Sequence, residues 1–259
     1  MVGAPPGRDS VVSAAVTISR DGPVMRVCLN RPDKLNAFSA ELVEGLHEAV
    51  SKATQEEARL LVFTGAGKGF SGGFDLSGLP EMSDDDLVQR FVRVEELLQA
   101  VYHAPFGTMA LVHGPCYGAA ADLVAACQWR LATLDARFRM PGLNFGIVLG
   151  TNRLANLVGA DAAHALLLRT KPFDAAEAKD RGFLQEIAEQ TAWPDAESRA
   201  LEAVQSLSAA NFAAMTERTR CSDRKADMDA LVRSATNGSI KQRIQAYLDT
   251  MSRAKAAKS

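Results

Sequence analysis

Apolar residues along the chain change period several times, and each change marks an element. Residues 11–18 and 24–29 are β-rich runs; Ser19, Arg20, Asp21, Gly22 and Pro23 between them read as a hairpin turn. Leu42, Val43, Leu46, Ala49, Val50 and Ala53 then recur at helical spacing behind Ser39, a capping side chain, and Glu41 puts negative charge in the first turn. The apolar run 60–63 reads as a buried strand. It ends in a loop at 64–73, where Gly65, Gly67, Gly69, Gly72 and Gly73 crowd together. Asp84–Asp86 open an amphipathic helix reaching Tyr102, and 108–112 is a third strand beyond Pro105.

The same order repeats downstream. Residues 113–118 read as a turn, 119–127 as a helix of small residues and 129–133 as another strand. A helix after Thr151 ends near Gly159, the next covers 161–168, and Asp174 with Glu177 forms a capping-box-like start to a helix stopping at Gly182. Beyond Pro194 the pattern is helical. The alternation predicts a layered α/β fold, with a core over 11–194 and a helical region over 195–259 suited to subunit contact.

Composition narrows the function classes. The apolar share of 47% and charged share of 23% over 259 residues are those of a soluble globular chain. Lys plus Arg total 29 against 31 for Asp plus Glu, so no global basic field draws the chain to nucleic acid or membrane. Cys28, Cys116, Cys127 and Cys221 form no CxxC pair and predict a reduced, cytoplasmic protein. The N-terminal ten residues hold no apolar run fit for a signal-peptide core, and both they and the basic end 252–259 are expected to fray. His47, His103, His113 and His164 are scattered without ligand spacing, so no metal is expected.

Three segments carry a resemblance: Asn30-Arg-Pro-Asp-Lys-Leu-Asn-Ala37, Phe63-Thr-Gly-Ala-Gly-Lys-Gly-Phe-Ser-Gly-Gly-Phe-Asp-Leu76 and His113-Gly-Pro-Cys-Tyr-Gly-Ala-Ala-Ala-Asp-Leu123. In order and spacing they resemble the enoyl-CoA hydratase/isomerase, or crotonase, superfamily. The resemblance implies a spiral of ββα turns with a C-terminal helical trimerisation region, a homo-oligomer that is a trimer or dimer of trimers, and an acyl-CoA substrate. It implies no cofactor beyond the CoA of the substrate. It also implies backbone N–H donors at Phe74 and Ala119 that hold the thioester oxygen, where an enolate concentrates charge. Lys34, Leu35, Ala37, Gly72, Asp75 and Leu76 match the CoA-binding stretches, and Tyr117 and Gly142 the acyl pocket.

The chain also departs from the family. Hydratases there use two glutamates; here Asp122 stands at the first position and Gly142 at the second. Hydration needs a base for water and an acid for the α-carbon, so isomerisation by Asp122 alone is favoured. The loop after Gly142 is shorter than the family's; Asn144, Arg139 and Tyr117 are further polar candidates for the pocket, while His113 is read as structural. A non-catalytic acyl-CoA binder, or a thioester hydrolase or decarboxylase, is the alternative. Ser71 has no histidine in a matching motif to activate it, and Gly67-Lys68-Gly69 lacks the spacing of a phosphate loop.

Overall fold

The computed structural model describes residues 10–169 and 171–256. A turn at Ala14 and Ala15 divides the first β-rich run into β1 (Ser10–Ser13) and β2 (Val16–Asp21), and β2 forms the expected hairpin with β3 (Val24–Leu29). Ser39 caps α1 (Ala40–Gln55) by accepting from the Leu42 N–H, and α1 buries the predicted stripe against β1–β3. Each leucine buried as fully as Leu46 stabilises the fold by about 1.5–3 kcal/mol. That stripe seats α1 on the sheet.

The chain continues through β4 (Leu60–Gly65), α2 (Asp84–Tyr102), β5 (Gly107–Val112), β6 (Pro115–Tyr117), α3 (Ala119–Ala126), β7 (Trp129–Ala132) and β8 (Arg137–Arg139). Next come α4 (Thr151–Val158), α5 (Ala160–Leu167), β9 (Phe173–Asp174), α6 (Ala175–Asp180) and β10 (Glu186–Ile187). The tail holds α7 (Trp193–Gln205), α8 (Ala209–Thr219), α9 (Arg224–Thr236) and α10 (Ile240–Ala256). A seven-stranded sheet has the order β1-β2-β3-β4-β5-β7-β10, parallel from β3 onward, and a three-stranded sheet the order β6-β8-β9. Residues 113–118, a turn by their sequence, contain β6. Its partner β8 lies beyond α3 and β7, so nothing local announces either strand. Asp174 caps α6, but the Glu177 carboxylate turns to Arg169 and Arg181 instead of completing a box.

The tail, which its sequence suits to contact with other subunits, packs on its own core. α7 covers one sheet face, with Ala196 and Ala200 against Val24, Leu60, Val62, Met109, Leu111 and Leu131. α9 packs on α2, and α10 on α2 and the short helix Gly142–Phe145. The core–tail boundary at 194/195 falls within the first turn of α7. Of the basic end 252–259, residues 252–256 continue α10 rather than fraying, while 257–259 lie outside the described residues, as do 1–9 of the first ten. Among the described residues no helix is long and apolar enough to cross a membrane.

Candidate active site

A strained connector positions the glycine loop. Between β3 and α1, Leu35 and Asn36 take φ angles of 48° and 49°. A left-handed leucine is costly and persists only where its surroundings over-determine it. Here the fully buried Asn36 does so: its amide donates to the carbonyls of Ala66 (2.8 Å), Gly69 and Phe70 (both 3.1 Å), and its Oδ1 accepts from the Arg31 N–H (2.8 Å). The Ser71 hydroxyl donates to the Asn36 carbonyl (2.7 Å) and accepts from the Gly73 N–H (3.0 Å), while the Gly72 N–H donates to the Leu35 carbonyl (2.7 Å). Arg31 pairs with Asp75 at 2.8 Å, and Ser77 donates to the other Asp75 oxygen. Burial pushes the Asp75 carboxyl up, but hydrogen bonds from Ser77 and Arg31 outweigh it and hold it below the usual range.

This lacing presents two unpaired donors to one cavity. Gly73 has φ 86°, and a Cβ there would fall 2.3 Å from the Tyr117 carbonyl oxygen, so only glycine lets the loop approach β6 so closely. On either side of Phe74 the backbone is pinned, Phe38 N–H to the Gly73 carbonyl (2.7 Å) and Asp75 N–H to the Phe38 carbonyl (3.2 Å). Among the described residues, nothing accepts from the Phe74 N–H. Ala119 is the first residue of α3, whose hydrogen bonding begins only with Asp122 N–H to the Gly118 carbonyl (3.0 Å), so the Ala119 N–H is also an orphan donor at a helix's positive end. Both residues line a cavity of about 190 Å³.

Asp122, one turn into α3, faces the same cavity and is only 5% exposed. Its Oδ1 is buried without a hydrogen-bond partner. Gly150, at φ 64° before α4, backs it so tightly that a Cβ would lie 2.2 Å from that oxygen. Burial pushes the Asp122 carboxyl well above the usual range; nearby Arg153 opposes this and Glu95 adds to it. Arg153 is itself engaged by Glu95 at 2.8 and 2.5 Å and by Asp227 at 3.4 Å, with Arg153 and Glu95 each 1% exposed.

Of the residues singled out by sequence, Gly72, Phe74, Leu76, Tyr117, Ala119, Asp122 and Gly142 meet at this cavity. Lys34, Leu35, Ala37 and Asp75 lie outside its lining: Lys34 is exposed, and the Asp75 carboxylate is taken by Arg31 and Ser77. Gly142 leaves Asp122 as the only carboxylate among the described lining residues. Arg139 lines the cavity, whereas Asn144 faces an outer cleft with Lys171 and Arg243. His113 bonds the Gly67 carbonyl (2.9 Å), supporting the loop from behind. The Ser71 hydroxyl is committed at both ends, to the Asn36 carbonyl and the Gly73 N–H, and among the described residues it bonds no base. Among the described residues no cluster of three or more His, Cys, Asp or Glu could hold a metal ion.

Sequence reasoning missed three contributors. The framework role of Asn36 and Ser71 had one signal, polar residues inside the matched segments, but only the fold shows what they bond. Tyr247 of α10 closes the cavity beside Phe145, ring centroids 5.4 Å apart, and nothing in the tail's sequence marks it.

Cavity and fold together define a class of enzyme, and comparison places the chain within it. The family description enoyl-CoA hydratase/isomerase matches residues 19–258. A solved Bordetella parapertussis structure titled as an enoyl-CoA hydratase/isomerase is 46% identical, covers 91% of this chain and 99% of its own, and superposes with a TM-score of 0.89. A Mycobacterium tuberculosis protein named as an enoyl-CoA hydratase, echA6, is 32% identical over 69% of this chain and 74% of its own. A peroxisomal Delta(3,5)-Delta(2,4)-dienoyl-CoA isomerase of Arabidopsis thaliana is 30% identical over 64% of this chain and 66% of its own. The fold is that of the crotonases, and the chain belongs to the enoyl-CoA hydratase/isomerase family of enzymes.

Proposed function

We propose that this enzyme shifts a double bond in an acyl-CoA thioester, holding the thioester oxygen with the Phe74 and Ala119 N–H groups and moving the proton with Asp122. The observation that carries this reading is a single buried, unpartnered carboxyl sharing a cavity with two unpaired N–H donors. Ionised Asp122 removes a proton from a carbon conjugated to the thioester. The resulting charge moves to oxygen between the two donors, each worth about 3–4 kcal/mol to such an oxyanion. Protonated Asp122 then returns the proton to another carbon of the same ligand. A raised pKa suits both halves, making the carboxylate a stronger base and its acid form abundant.

Hydration asks for a second group to hold and activate water, and Gly142 supplies none. The resemblance to the dienoyl-CoA isomerase supports the same preference. CoA is placed along Lys34, Leu35, Ala37, Gly72 and Leu76, with Asp75 steadying Arg31 beneath it, and the chemistry asks for no resident cofactor. Four free cysteines suit a cytoplasmic setting, and the family resemblance supports a trimer or dimer of trimers.

A panel of enoyl-CoA and dienoyl-CoA thioesters with product analysis tests the proposal. Isomer formation without 3-hydroxyacyl product is the expected result, and a strong hydratase rate refutes it.

A further inference from the structure

Arg139 is a cation without an anion. Its guanidinium donates to the Met251 sulfur at 3.5 Å and lies 5.8 Å from the Tyr247 ring centroid, both on α10. Its Nε is buried with no acceptor, and among the described residues no carboxylate pairs with it. The Nε atoms of Arg153 and Arg243 are buried without an acceptor too, but the other guanidinium nitrogens of those residues donate to Glu95 and to backbone carbonyls, as Arg31 does to Asp75 and Arg130 and Arg220 do to carbonyls. Arg139 is half-buried, and its Nε has lost water without gaining an acceptor, which is costly. Sulfur and a distant ring offset little of that.

Its position is informative. The Arg139 carbonyl accepts from the Gly118 N–H at 2.7 Å, so its backbone stands beside the Ala119 donor. Its side chain lines the acyl cavity and the outer cleft, which also share Phe145 and Tyr247. Much of the cavity lining is apolar, including Met140, Leu143, Ile147, Leu149 and Leu167. Among the described residues, the cleft beyond adds Lys171 and Arg243 and no acidic residue. An acyl group held in this cavity therefore has apolar side chains around it and the Arg139 cation at the boundary that the cavity shares with the outer cleft.

We propose that Arg139 determines acyl specificity by binding a second carboxylate at the far end of the acyl group, so that the substrate is the CoA thioester of a dicarboxylic acid. The inference rests on the thioester reading of the cavity. Burial that favours neutral Asp122 removes the one charge in the lining that would repel such a group. Arginine's planar fork matches a carboxylate with two parallel N–H donors, which gives orientation as well as affinity.

Calorimetric titration with saturated, unreactive thioesters separates this from the reading beneath it. Succinyl-, adipyl- and suberyl-CoA are compared with butyryl-, hexanoyl- and octanoyl-CoA, each pair equal in carbon number and differing in a terminal carboxylate or methyl. The wild-type protein should prefer the carboxylate partner at the fitting length by about ten- to a hundredfold, the range of a charge-assisted bond. Arg139→Gln should erase that preference while leaving the methyl partner's affinity intact, and Arg139→Lys should retain part of it. Equal wild-type affinity within every pair overturns the proposal. So does a preference that survives Arg139→Gln, or a loss shared by both partners, which would place a CoA phosphate on Arg139. Failure of every thioester to bind sinks the thioester site itself.

Discussion

Asp122 concentrates the molecule's conflict between stability and chemistry. Its carboxyl is buried beside Gly150 with one oxygen unpartnered, and burial raises its pKa. Between about pH 4, where an unfolded aspartate titrates, and the raised folded value, the folded state holds a proton that the unfolded state has lost. Stability therefore falls as pH rises through that window. Asp122→Asn carries no such titration, so its melting temperature should gain on the wild type progressively from about pH 4 upward, as read by calorimetric scans. The same variant should lose about 10²–10⁴ in kcat on any isomerised thioester. Unchanged turnover would remove Asp122 from the chemistry. Gly150→Ala tests placement rather than ionisation. Its Cβ would displace the Asp122 oxygen, and a displacement near 1 Å costs about 10²-fold in kcat, while a left-handed alanine costs about 1–2 kcal/mol of stability. Steady-state kinetics beside a denaturant melt measures both.

At the scale of elements, a buried ion network ties helices that are distant in sequence. Arg153 of α4 reaches Glu95 of α2 and Asp227 of α9, and Ser222 bonds the same Asp227 carboxylate at 2.5 Å. Truncating one partner strands a buried charge, so Arg153→Met should destabilise the fold by about 3–5 kcal/mol in urea titration. Replacing Arg153 and Glu95 together by apolar residues should restore much of that loss. A cost undiminished in the double variant would mean that packing, not charge, is what the pair contributes.

At the scale of the whole molecule, α10 returns over the cavity and places Tyr247 in its wall. The closing element thus comes from the chain that carries Asp122. In an oligomer mixed from Asp122→Asn and Tyr247→Ala subunits, no activity should be recovered beyond the average of the two parents. Complementation would show that a neighbouring subunit's α10 closes the cavity instead. Sedimentation velocity on the same preparations gives the oligomeric state and tests the trimer.

Sequence alone carried much of this molecule, because much of it is locally encoded. The stripe of α1, its capping Ser39, the acidic start of α2 at Asp84–Asp86, the glycine crowding at 65–73 and the small residues of α3 are each legible within a few positions. Three matched segments with their spacing sufficed for the family and for naming Phe74, Ala119 and Asp122 as residues to watch. Pairings made at long range were not legible: β6 with β8, Asn36 with the carbonyls of the glycine loop, Arg153 with Glu95, and Tyr247 with Phe145. Each depends on which surfaces meet after the chain closes on itself, and neither period nor propensity encodes that. Whether a carboxyl is neutral, or a guanidinium lacks an anion, belongs to the same class. Those properties arise from burial and from the partners that only the tertiary structure supplies.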